Sequence, residues 1–179
     1  MTERYDTPLS ERFAKDAADE QFLARLNTIL EPFEREEYRD LPETYPTLYV
    51  IGAPRSGTTL LSQVFCSHLD VSYVSNLSAA FWKAPLVGRS RQRRQRAFSR
   101  APTFVVRSEF GRTTGLYEPH EFGYFWSRQL GYPDMQQRDA SFEEQIDWAS
   151  VRKTLNNMTH AVGKPRCLSP FCSRFTSLG

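Results

Sequence analysis

An α/β fold built around a parallel sheet is the architecture this sequence predicts, and three observations predict it. Leu48-Tyr49-Val50-Ile51 is an unbroken apolar run, the pattern of a strand buried on both faces. It leads into a short segment bounded by Gly52 and Gly57, after which Thr58 to about Leu69 carries a helical pattern. Val71-Ser72-Tyr73-Val74 then has the composition of a second strand, so strands and helices alternate.

The elements follow in order. Ser10 is placed to cap a helix running to about Glu31, with Phe22, Leu26, Ile29 and Leu30 spaced along one apolar face. Pro32 and the segment Leu41-Pro42-Glu43-Thr44-Tyr45-Pro46 are expected to break it. In the helix after the glycine loop, Leu60, Leu61, Val64 and Phe65 are expected to face the sheet. Phe104-Val105-Val106 reads either as a short strand or as packing under a loop. Ser141 is placed to cap a helix from Phe142 to about His160, with Ile146, Ala149, Leu155 and Met158 directed inward. Gly163 supplies its stop and Lys164-Pro165 the exit turn.

Composition bounds the class. The 179 residues make one domain, 1–179, and 40% apolar with 25% charged residues is ordinary for a soluble globular chain. Met1 to Asp16 is polar with charges of both signs, unlike a secretory signal, and no apolar run reaches membrane-spanning length. Cys66, Cys167 and Cys172 are spaced too irregularly for a disulfide framework or a metal site, so a reducing, cytoplasmic setting is expected and no metal. Residues 1–44 hold twelve acids against six bases and read as an acidic helical lead-in. Residues 45–179 hold nine acids against seventeen bases, a balance suited to anions.

Gly52-Ala53-Pro54-Arg55-Ser56-Gly57-Thr58-Thr59 has the glycine spacing of a nucleotide-binding P-loop. Glycines let the backbone curl until successive N–H groups point inward, and the next helix adds the positive end of its dipole. A triphosphate-binding loop places Lys after the second glycine; here that position is Thr58, and the cation sits inside the loop as Arg55. A fork of donors of this kind suits a short phosphate-bearing group rather than a triphosphate with Mg²⁺.

PRSGTTLL after an apolar strand resembles the 5′-phosphosulfate loop of sulfotransferases that use 3′-phosphoadenosine 5′-phosphosulfate (PAPS). The resemblance implies a P-loop-like three-layer sandwich with a parallel sheet, and transfer of a sulfuryl group to a hydroxyl or amine. It implies that Arg55 neutralises the sulfuryl and bridging oxygens, and that Ser56, Gly57, Thr58 and Thr59 donate backbone and hydroxyl hydrogen bonds to the 5′-phosphate. PAPS would be the co-substrate, with no metal.

An acceptor hydroxyl needs a general base. Several branches of the family use a glutamate just beyond the loop helix, yet no Asp or Glu occurs between Asp70 and Glu109. The nearest dense supply is Glu118-Pro119-His120-Glu121-Phe122-Gly123-Tyr124-Phe125-Trp126, with two carboxylates, one imidazole and four aromatics in nine residues. It resembles an acceptor-side region of bacterial-type sulfotransferases. His120 or Glu121 could take the proton, or Glu121 could orient the imidazole. The other possibility is an amphipathic helix start with Glu118 and Glu121 near its positive end.

Arg89 to Arg100 holds six arginines and no acid. It could neutralise nucleic-acid phosphates, hold an anionic acceptor or the 3′-phosphate of PAPS, or be a solvated basic stretch. The expected partner is a small-molecule, glycan or lipid acceptor rather than nucleic acid. In the family a later strand and helix hold the 3′-phosphate; Leu168-Ser169-Pro170-Phe171 looks like a landmark before them, with Leu168 where Lys is expected. Lys164-Pro165-Arg166-Cys167 makes a poor buried strand, so 166–179 is expected to be an aberrant or truncated tail, which puts activity in question. The alternatives are a P-loop nucleotide kinase-like enzyme, which lacks its lysine, and a non-catalytic anion- or nucleic-acid-binding fragment. Oligomeric state has no signature in the sequence.

Overall fold

A computed structural model of the chain describes residues 16–52, 56–90, 113, 115–131 and 144–168. Arg55, Arg91 to Arg100, Phe104 to Val106, the caps expected at Ser10 and Ser141, Cys172 and the stretch 169–179 lie outside them. The described elements run α1 (Ala17–Glu37), β1 (Thr47–Tyr49), α2 (Thr58–His68), β2 (Ser72–Tyr73), α3 (Asn76–Ala79), α4 (Gly123–Gln129), α5 (Trp148–His160) and β3 (Arg166–Leu168).

The three strands form an open, wholly parallel sheet in the order β1-β3-β2. Thr47 and Ser72 both pair with Arg166, and Leu48 and Tyr73 with Cys167. The fold is therefore α/β. The strand expected to be poor is the central one: Arg166, Cys167 and Leu168 are all buried. The Arg166 guanidinium is tolerated because it is bonded, donating to Leu155 O at 2.5 Å and to the Thr159 hydroxyl, with Glu43 at 3.9 Å. Only 169–179 of the expected aberrant tail falls outside the described residues.

Alternation along β3 sends its side chains to opposite faces of the sheet. Arg166 reaches α5, whereas Cys167 meets Cys66 of α2. On the α5 side lies the apolar core of Val74, Phe122, Phe125, Trp126, Val151, Leu155, Met158 and Leu168. Asp147 caps α5, accepting from Ser150 N at 2.9 Å, so the helix begins six residues beyond Phe142, and Gly163 ends it at φ +73°.

α1 departs from the expectation most. Asp16 caps it, and it continues through Pro32 to Glu37. Phe22 and Ile29 are exposed at 65% and 71%, while Asn27 and Glu34 are buried. Their side chains clamp backbone: Asn27 donates to Ala80 O at 2.7 Å and accepts from Lys83 N at 2.8 Å. Glu34 accepts from Leu86 N at 2.6 Å and Val87 N at 3.2 Å, in the first turn of the helical stretch 85–90. Two tertiary anchors flanking Pro32 offset the roughly 3 kcal/mol that a helix-interior proline costs. Asn157 of α5 does the same to Arg39, donating to its carbonyl at 2.8 Å and accepting from its N–H at 3.0 Å.

β1 lies at the edge of the described sheet and is not buried on both faces. Val50 is buried, but Leu48, Tyr49 and Ile51 are exposed at 36%, 46% and 69%. The apolar residues of α2 follow suit: Leu60, Leu61 and Val64 are exposed, and Thr59, Ser62 and Gln63 turn inward instead. No described helix is long and apolar enough to cross a membrane.

Candidate functional site

Gly57 is the cap of α2 and sits at φ +86°, a left-handed conformation that a side chain resists; its carbonyl receives Leu61 N at 2.9 Å. A Cβ on Gly52 would stand 2.6 Å from Ser56 Oγ and 2.7 Å from Thr58 Cγ2, both side-chain atoms. Gly57 is thus demanded by its φ, whereas at Gly52 the Ser56 and Thr58 side chains would have to move aside for a Cβ. At Gly57 a Cβ would meet nothing within 4 Å, so only backbone strain opposes it. Gly57→Ala is expected to cost about 1–2 kcal/mol, read as a lowered melting temperature, with Gly57→Asn milder.

The 118–121 segment lies beside this loop. It is stitched to the carboxyl end of β2: His120 N donates to Val74 O at 2.8 Å, Asn76 N to Glu118 O at 3.0 Å, and Tyr73 OH to Tyr117 O at 2.9 Å. Asn76 Nδ2 holds the approach to the segment through Gly115 O at 2.8 Å and the Thr113 hydroxyl at 3.0 Å. The result delivers Glu121 to the first turn of α2, where Thr59 Oγ1 donates to its carboxylate at 3.2 Å. Burial pushes the Glu121 carboxyl above the ordinary value of 4.5, and the Thr59 bond partly opposes that shift. The Thr59 hydroxyl thus ties Glu121 to the first turn of α2.

The three candidate proton acceptors separate. Glu118 turns back on its own loop, accepting from Gly115 N at 3.0 Å. His120 Nδ1 accepts from Phe122 N at 2.7 Å. A backbone N–H can only donate, so Nδ1 is the accepting nitrogen here and a neutral ring carries its proton on Nε2. Phe122 itself holds φ +57°, the one left-handed non-glycine among the described residues, kept there by burial and by stacking on Phe125 at 4.5 Å.

Arg89, expected within a basic run, is buried at 3% exposure and donates to Ser72 Oγ at 2.9 Å and to Tyr73 O. It braces β2 and is not available to an external phosphate. Below Glu121 a cavity with room for about one water molecule is lined by Thr59, Ser62, Cys66, His120, Glu121 and Cys167, among others. The buried Ser62 hydroxyl has no hydrogen-bond partner among the described residues. Among those residues, no group of three His, Cys, Asp or Glu side chains could hold a metal ion. The Thr59–Glu121 pairing and the thiols are what sequence reasoning missed, since nothing local marks contacts across such separations. No protein-family model, curated protein or solved structure matches the chain.

Proposed function

We propose that the chain is the donor-binding portion of a PAPS-dependent sulfotransferase of P-loop-like α/β type, acting on a hydroxyl or amine acceptor. One observation carries this: Glu121 is held by Thr59 on the first turn of the helix that follows the Gly52–Gly57 segment. On this reading Glu121 would be the proton acceptor beside an anion-binding loop, the pairing that group transfer to a hydroxyl requires. Thr58 in place of the Walker lysine and Arg55 within the loop favour a phosphosulfate over a magnesium triphosphate.

PAPS would supply the activated sulfuryl group. Backbone N–H groups of Ser56, Gly57, Thr58 and Thr59, at the start of α2, would hold a small phosphate-sized anion. Arg55 would meet charge on the sulfuryl side, Glu121 would take the acceptor proton, and His120 would donate from Nε2. Calorimetry is expected to show adenosine 3′,5′-bisphosphate binding tighter than ATP, with no requirement for Mg²⁺. Mg²⁺-dependent ATP binding tighter than the bisphosphate overturns the proposal.

A further inference from the structure

Cys66 and Cys167 are far apart in sequence and adjacent in space. Cys66 lies on the inward face of α2, four residues beyond Ser62 and seven beyond Thr59. Cys167 occupies the middle of the central strand, paired with Leu48 on one side and Tyr73 on the other. The alternation that sends Arg166 and Leu168 toward α5 turns Cys167 toward α2, where it and Cys66 line the same small cavity. Neither is in a disulfide; Cys167 is buried and Cys66 partly so. Both line the small cavity below Glu121, together with the unpartnered Ser62 hydroxyl.

We propose that Cys66 and Cys167 are a redox pair, oxidised by a peroxide to a disulfide that ties α2 to β3 at the floor of the candidate site. The bridge depends on this contact alone and holds whatever anion the Gly52–Gly57 loop takes. The cavity admits something the size of water, which suits hydrogen peroxide better than a bulky disulfide. The neighbouring Cys66 thiol holds the Cys167 thiol below its usual value, against burial, which favours the Cys167 thiolate as nucleophile. Its thiolate attacks a peroxide oxygen; the S–O bond forms, the O–O bond breaks, and hydroxide leaves as water. The Cys66 sulfur then attacks the Cys167 sulfenic acid, forming the S–S bond and expelling the second oxygen as water. Two thiols are oxidised, one peroxide is reduced, and the two thiol protons leave in the two waters.

The test uses the full chain carrying Cys172→Ser, which removes the remaining thiol. Hydrogen peroxide treatment, maleimide blocking under denaturing conditions and peptide mass spectrometry are expected to yield a cross-linked peptide joining Cys66 to Cys167. Its mass should be lower by two hydrogens and restored by a thiol reductant. The oxidised protein should also melt at a higher temperature than the reduced one, because the bridge closes a long loop. In a Cys66→Ala variant the Cys167 sulfenic acid has no resolving thiol and should be trapped by dimedone. Recovery of both cysteines as maleimide adducts, as sulfinic acids, or only in intermolecular cross-links overturns the proposal.

Discussion

Glu121→Gln is expected to reduce sulfuryl transfer by a factor of about 10²–10⁴, leave bisphosphate affinity unchanged, and raise the melting temperature at neutral pH. The amide keeps the volume and an oxygen for Thr59 but cannot take a proton. Stability moves the other way because burial raises the Glu121 pKa in the fold above the ordinary value of 4.5. Below 4.5 the carboxyl is protonated in both states; as pH rises through that value the unfolded chain loses its proton first, and stability falls until the folded carboxyl ionises too. At neutral pH the ionised group is therefore a standing cost that glutamine removes. For the same reason the acid limb of the rate profile should lie above the ordinary carboxylate range. Radiolabelled sulfate transfer to a panel of hydroxyl and amine acceptors, followed across pH, provides the measurement. If Glu121→Gln retains turnover while His120→Asn loses it, with a limb at roughly 6–7, the base is His120 instead.

Arg55→Ala is expected to cost about 2–4 kcal/mol in transfer, felt in kcat rather than in acceptor KM. The motive is the position of the cation within the loop, in a chain whose next helical position carries Thr58 and no lysine. A guanidinium fork strengthens its hold as charge grows on the leaving phosphate, so its loss is felt in the transition state. Arg55→Lys keeps the charge and loses the fork, and should recover only part of the rate. Turnover of Arg55→Ala within about twofold of the unaltered protein would remove it from the mechanism.

Much of the site could be read in the sequence where a residue type is demanded locally. A glycine at φ +86° leaves its mark as a glycine. Helical faces were less legible. Periodicity counts apolar residues and so directed Leu60, Leu61 and Val64 inward, yet α2 turns Thr59, Ser62 and Gln63 to the sheet. Asn27 and Glu34 look like solvated helix residues until their backbone partners, more than fifty residues on, are known. Arg166 looked foreign to a buried strand for the same reason: its partners, Leu155 O and the Thr159 hydroxyl, belong to the preceding helix. The Thr59–Glu121 bond spans 62 residues and leaves no local mark at all.

The strand order has a consequence for how the chain acquires its shape. β1 and β2 emerge early in synthesis but do not pair with one another; each waits for β3, at residues 166–168, to come between them. The sheet is therefore assembled from its flanks inward, by two long-range closures that must succeed together, the slow kind of topology. Until that insertion the loop that follows β1 has no rigid strand behind it. On the proposed reading, the loop's competence to hold an anion is thus a late event in folding, postponed until the central strand of the described sheet arrives.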